Sequence, residues 1–280
     1  MNRRERILGG LDLRRLTGLE IGAQHAPLVA KSESDVRYVD YATTDEIRAG
    51  WTKSHVVDPD ALVAVDIVWG VTPLRDTVPA PVDYIVASHV IEHVPDLVGW
   101  LAELRAALKD DGVVCLAIPD RRFTFDLFRT ETVLSEVIEA HLMGHRRPTV
   151  RQVFDALSRT RPNNHTEAWE SDPKARLAPI PEKLRRAYDT ARDLVANPRY
   201  FDTHCWVFTP RSFLDICEGL HALGLMPFRI AHFGPTPRGE LEFYARLAPV
   251  STSNEIAASL ADARRSLAAA PVPPGETVAG

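Results

Sequence analysis

The stretch Gly18-Leu19-Glu20-Ile21-Gly22-Ala23-Gln24-His25-Ala26-Pro27-Leu28 constrains this chain more than any other. It reads as the end of a buried strand followed by a tight loop. A second apolar run, Val36-Arg37-Tyr38-Val39-Asp40, closes on a carboxylate 18 positions after Gly22. A strand, a loop of little side-chain bulk and an acidic residue about 20 positions on is the arrangement that sets a ribose against a second strand. Gly22 and Ala23 let the loop backbone approach a ligand, and Asp40 can accept both ribose hydroxyls or cap the helix that follows. Gln24 and Ala26 stand where a glycine-rich loop has its second and third glycines.

The rest of the first half repeats the alternation of strand and helix. Val82 to Val94 reads as a buried strand, a polar turn and the start of a helix. Leu97, Leu101, Leu104 and Leu108 share one helical face, the spacing of a helix that packs on a sheet. Lys109-Asp110-Asp111-Gly112 ends that helix, with glycine placed for a left-handed residue. Val113-Val114-Cys115-Leu116-Ala117-Ile118 follows as a fifth strand, stopped by Pro119-Asp120. Alternating elements of this kind predict a parallel sheet with helices on both faces.

These residues give the chain a resemblance to the class I S-adenosylmethionine-dependent methyltransferases. It is carried by Leu19-Glu20-Ile21-Gly22, Asp40, Ser88-His89-Val90-Ile91-Glu92-His93-Val94, Leu108-Lys109-Asp110-Asp111-Gly112 and Ile118-Pro119-Asp120. More narrowly, the chain is similar to bacterial methyltransferase-domain proteins with a glycine-poor first loop, found among glycan and natural-product genes. That likeness adds the Pro119-Asp120-Arg121-Arg122-Phe123-Thr124-Phe125-Asp126 segment and the Asp202-Thr203-His204-Cys205-Trp206-Val207-Phe208-Thr209-Pro210 segment. The resemblance implies an α/β, Rossmann-like doubly wound sheet of about seven strands, six parallel and one antiparallel, with an α-helical lid insertion. Pro227 to Phe233 and Leu241 to Leu247 then read as strands six and seven.

Composition narrows the alternatives. A chain of 280 residues with 45% hydrophobic content can bury one good-sized core. A formal net charge of −5 argues against general nucleic-acid binding. Cys115, Cys205 and Cys217 form no C-x-x-C pair, so neither a disulfide framework nor a thiolate metal site is expected. No run approaches the length of a membrane span. The charged start lacks a secretory apolar core. A cytoplasmic location is the simplest expectation.

Three parts are expected: residues 1–126 with 200–250 as the S-adenosylmethionine-binding domain, 127–199 as a helical insertion, and 251–280 as a C-terminal helix and unstructured tail. In the insertion, Glu131 to Leu142, Thr149 to Leu157 and Pro181 to Val195 have helical spacing, with Thr149 as an N-cap. An insertion after the fifth strand sits over the carboxyl edge of the sheet, where ligands bind. It reads as a substrate lid or an oligomerisation element, so a homodimer is an open possibility.

The resemblance implies S-adenosylmethionine as cofactor, held by Glu20, Gly22, Ala23, Asp40, Tyr41, Asp66, Ile67, Ser88 and His89. Asp66 lies early for a residue meeting the adenine, and Trp69 stands nearer that spot, to stack there or fill the core. His204 is the first candidate for a base, with Asp202 beside it to orient the imidazole and Arg122 to grip the acceptor. Arg121, Asp126 and the His141–Arg147 run are further candidates. His89 and His93 have the spacing of a metal pair, but without a third ligand in view no metal is expected. The expected function is methylation of a small molecule, on oxygen of a sugar, glycan precursor or natural product. The alternatives are a non-catalytic binding partner, a nonmethylating enzyme using the same cofactor, and a nicotinamide enzyme.

Overall fold

A computed structural model describes residues 1–51, 58–170, 180–250 and 252–271. Seven strands form one sheet: β1 (Thr17–Ile21), β2 (Asp35–Asp40), β3 (Ile67–Val68), β4 (Val82–Ser88), β5 (Leu108–Pro119), β6 (Phe228–Gly234) and β7 (Glu242–Pro249). Their order is β3-β2-β1-β4-β5-β7-β6, and only β7 runs antiparallel to its neighbours. This is the expected Rossmann-like sheet. The order reverses between β1 and β4, and the carboxyl ends of those strands define the crevice that such sheets use for ligands.

The helices are α1 (Arg3–Leu8), α2 (Thr44–Trp51), α3 (Leu74–Thr77), α4 (Leu97–Ala107), α5 (Leu134–Leu142), α6 (Val150–Arg159), α7 (His165–Ala168), α8 (Pro181–Ala196), α9 (Pro210–Ala222) and α10 (Ser253–Ala268). One sheet face carries α4, α9 and α10. Leu97, Leu101 and Leu104 of α4 pack with Phe213, Leu214 and Leu220 of α9 and Ile256 and Leu260 of α10 in a single core. Local sequence explains their limits. Thr209 caps α9 by accepting from Ser212 N–H, Pro210 occupies its first turn, and Gly224 follows it with φ +71°. Thr149 and Gln152 form a capping box at the start of α6, as its sequence predicts.

The other face departs from expectation. No helix joins β1 to β2; residues 22–34 form turns. Glu20, 3% exposed, holds this loop by accepting Leu28 N–H and Val29 N–H on its two oxygens. The side chains of Tyr38, Tyr84 and Tyr244, with Ile7 and Leu8 of α1, fill the volume a crossover helix would occupy. The helix layer on this side is therefore short, and tyrosines do its packing.

One local reading is corrected. Gly112 lies within β5 and has no left-handed backbone; it is there because a Cβ would stand 2.9 Å from the Asp83 carbonyl oxygen and 2.7 Å from Leu108. The third strand is two residues long, because Val63 N–H, Val65 N–H and Asp66 N–H go to Gln24 O, Thr44 Oγ1 and Tyr38 O. The tail expected from 270 onward lies mostly outside the described residues.

Candidate active site at the carboxyl edge of the sheet

The crevice is built from four chain segments. The first is the β1 loop. Gly22 has φ +69°, and a Cβ there would stand 2.9 Å from Val90 on the β4 loop. A side chain at this position would therefore push the two walls of the crevice apart. At the end of β2, Asp40 is 6% exposed and spends one oxygen, Oδ1, on Tyr41 N–H. Burial, with a smaller contribution from nearby Asp202, pushes its carboxyl up to about 6. Its Oδ2 has no hydrogen bond among the described residues, so one acceptor remains for a ligand.

The β4 loop supplies the second wall. His89 has φ +54°, an uncommon conformation for a non-glycine residue. Its Nε2 lies 2.7 Å from Glu242 Oε2 on β7, and Arg3 of α1 donates to both oxygens of Glu242 and to Ser88 Oγ. Burial raises the Glu242 carboxyl, but the bonds from His89 and Arg3 prevail and hold it at about 2. Burial likewise opposes the charge on His89, and Glu242 and Glu92 raise its pKa in spite of that. Glu92 and His93 follow in a single 3-10 turn; the regular helix begins only at Leu97, so His89 and His93 do not share a helical face.

The segment before α9 crosses the same edge. Tyr200 stacks on Tyr41 with ring centroids 5.8 Å apart. Asp202 accepts from His93 Nδ1 at 2.9 Å. Two residues on, His204 Nδ1 meets Asp126 Oδ2 at 2.5 Å, so its orienting carboxylate is Asp126 and not the neighbouring Asp202. Burial raises both carboxyls, yet their histidine partners, joined at Asp126 by Arg129, hold them below the ordinary value. Both therefore stay ionised and accept from the Nδ1–H of their imidazoles, so that neither Nε2 is engaged by them. Burial opposes charge on His93, and Asp202 and Glu92 raise its pKa in spite of that. Arg129, 3% exposed, locks the arrangement by donating to Asp126, to Asp155 of α6 and to the His204 carbonyl. Gln152 of α6 donates to Cys205 O, so the insertion is tied directly to this segment.

These groups open onto a cleft of about 480 Å³ whose walls include Phe125, Arg161, Lys183, Asp202 and His204. It lies between the sheet edge and the packed pair α6 and α8.

The profile of a family described as "Methyltransferase domain" matches residues 4–220, most of the chain. The chain belongs to the methyltransferase-domain family. Among solved structures it is similar to magnesium protoporphyrin IX methyltransferase from Synechocystis PCC 6803 with bound SAH, at 10% identity and TM-score 0.39, covering 88% of this chain and 80% of that one. It is also similar to the CurJ carbon methyltransferase, at 12% identity and TM-score 0.40, covering 87% and 51%. The mitomycin 7-O-methyltransferase MmcR gives 12% identity and TM-score 0.39, covering 88% and 53%. The chain thus spans about half the length of the latter two. No curated protein matches it.

Within this enzyme the residues expected at the site divide. Gly22, Ala23, Asp40, Tyr41, Ser88, His89, Asp202 and His204 stand around the crevice. Glu20 is committed to the loop backbone. Asp66 binds Tyr38 N–H and Lys31 Nζ and so splints β2 against β3. Ile67 points into the core. Trp69 donates its indole N–H to Glu103 of α4, which anchors it to the packing layer. Arg122 is engaged in a bidentate pair with Asp120, which is fully buried and also accepts from Thr236, so that arginine serves the loop fold. Arg121 is spent on Glu131 and the carbonyls of Leu127 and Arg129. Arg3, Glu92, Arg129 and Glu242 were not expected. Only the Glu92-His93 pair within the β4 motif hinted at them; the rest depend on long-range contacts.

Proposed function

We propose that this enzyme transfers a methyl group from S-adenosylmethionine to an oxygen of a small hydroxylated acceptor. When bound, the cofactor supplies a methyl group already activated on a sulfonium. Gly22 and Ala23 fit its backbone-lined approach, and the free oxygen of Asp40 fits the ribose hydroxyls. Tyr41 and Tyr200 form an aromatic cover beside that carboxylate. The observation that carries the reading is the Asp126–His204 pair. It is a base with its tautomer fixed, its free Nε2 beside the end of β4, opening to a cleft. A hydroxyl placed there gives its proton to His204 Nε2, and ionised Asp126 stabilises the imidazolium that results. The insertion helices α6 and α8 act as the lid that shapes the acceptor side and excludes water. Arg161 and Lys183 on that wall suit an acceptor that also bears an anionic or strongly polar group.

The test is isothermal titration with S-adenosylmethionine and S-adenosylhomocysteine, followed by an acceptor screen read by a product gain of one methyl group. Absence of binding at millimolar cofactor, with the acceptors present, overturns the reading in favour of a non-catalytic partner.

Asp40 gives a sharper expectation. Its carboxyl must be ionised to accept ribose hydroxyls, so cofactor affinity should fall as pH drops through about 6 and be about tenfold weaker near pH 5. Asp40→Asn should weaken binding by about tenfold or more at pH 8 and abolish this pH dependence. The ligand-free protein should respond in the opposite direction. A folded-state pKa raised from 3.8 to about 6 destabilises the fold above pH 6 and costs nothing below pH 4. The variant should therefore melt higher than the parent at pH 8 and equally at pH 4. Unchanged affinity in the variant removes the ribose assignment.

A further inference from the structure

We propose that Glu92, His93 and His204 bind one divalent transition-metal ion, zinc being the ion that their chemistry suits best. The ion's binding stands on geometry alone; its role rests on the cleft being the methyl-transfer site. The first observation is Glu92 itself. Its side chain is fully buried, and among the described residues neither carboxylate oxygen has a hydrogen-bond partner. An unsatisfied buried carboxylate is costly, and proteins retain one where a cation compensates it.

Three histidines face that carboxylate. His89 Nδ1 lies 3.8 Å from Oε1 with its other nitrogen held by Glu242, and His93 and His204 stand on the cleft side. His93 Nε2 and His204 Nε2 each lie 3.9 Å from Glu92 Oε1, too far for a hydrogen bond. With Nδ1 of each ring engaged by Asp202 and Asp126, the Nε2 atoms are the ones turned to the carboxylate and available to a metal. An ion between these atoms would be held by one carboxylate oxygen and two imidazole nitrogens and would compensate the buried charge of Glu92. All three ligand atoms lie within 4.8 Å of one another, and metal bonds of about 2.0–2.2 Å need only a modest contraction.

The surroundings match metal ligation as well. A histidine that binds a metal through one nitrogen usually donates the other N–H to a carboxylate, which fixes the ring and raises its basicity. Both histidines have such a partner. Cys205 N–H and Trp206 N–H both bond to the Glu92 carbonyl, so the segment bearing His204 is pinned to the turn bearing the other two ligands. His93 and His204 side chains are 30% and 10% exposed, which leaves one side open to the cleft. Three protein ligands with an open position are the pattern of a catalytic zinc, whereas two imidazoles disfavour magnesium. With an ion in place, an acceptor hydroxyl bound to it loses its proton to solvent near neutral pH, and His204 is then a ligand and not the base.

The experiment uses the full chain, stripped with chelator and dialysed, then titrated with zinc by calorimetry and with cobalt by visible absorption. One equivalent of zinc with micromolar or tighter affinity, ligand-field bands for cobalt, and no response to magnesium are expected. His93→Ala and Glu92→Gln should each weaken zinc about 100-fold or more. Asp126→Asn and Asp202→Asn should weaken it about 10- to 100-fold. His93 is partly exposed, so its variant tests the site even if the Glu92 variant does not fold. No stoichiometric zinc, or affinity unchanged in His93→Ala, overturns the proposal. Cofactor titration of the stripped protein reads the methyl-transfer assignment separately. Zinc binding without cofactor binding overturns that assignment and leaves the metal site standing.

Discussion

His204→Ala should lower methyl-transfer turnover by about 10²- to 10⁴-fold while leaving S-adenosylmethionine affinity within about threefold of the parent. The separation follows from where the residue sits. His204 faces Glu92, His93 and Phe125, on the side proposed for the acceptor, whereas the carboxylate proposed to hold the cofactor is Asp40. A residue acting only on the proton of the acceptor changes kcat and leaves the cofactor's binding free energy alone. Asp126→Asn sharpens the test. An amide presents an N–H to Nδ1 and drives the proton to Nε2, so the base is disarmed with the ring still in place. Its turnover should fall by a comparable order. If His204→Ala loses turnover and Asp126→Asn does not, the imidazole positions the acceptor without taking its proton. Equal activity in His204→Ala removes the residue from the chemistry under either the base or the metal reading, because both require its Nε2.

How far the sequence carries depends on the range of the interactions. The strands β2, β4 and β5, the leucine face of α4 and the capped starts of α6 and α9 were legible, because periodicity and capping are local. The histidine at 204 was legible for its type and its place before Thr209-Pro210. Its partner was not. Adjacency favoured Asp202, but Arg129, reaching from Asp126 to Asp155 and to the His204 carbonyl, sets Asp126 against the imidazole. Asp202 is left to pair with His93. In the same way, Arg122 and Asp66 have the composition of site residues, but Asp120 and the Tyr38 amide claim them. The missing crossover helix was hidden for a related reason. Glu20 belongs to the strand motif by sequence, and only the fold turns it back onto Leu28 and Val29.

That missing helix leads to the largest effect on stability. Tyr84→Ala should cost about 3–5 kcal/mol, the range for deleting a large aromatic from a packed core. Tyr84 is fully buried, and its ring lies flat on β1 where Gly18 leaves room; a Cβ on Gly18 would stand 2.0 Å from the ring. Its hydroxyl pairs with Ser34 Oγ at 2.8 Å, and Ser34 in turn donates to Leu16 O. The ring thus fills the sheet face while its polar end secures the loop that replaces a helix. Tyr84→Phe keeps the packing and loses one hydrogen bond, so it should cost about 1 kcal/mol. Denaturant unfolding followed by circular dichroism measures both. A loss below about 1 kcal/mol in Tyr84→Ala would mean that residues 22–34 collapse into the vacated space. The loop, not the tyrosine, would then govern packing on this face, and Gly18→Ala would be tolerated in the Tyr84→Ala background. If instead the full cost is observed, the same glycine substitution made in the parent should be strongly destabilising, because the ring has no other place to go.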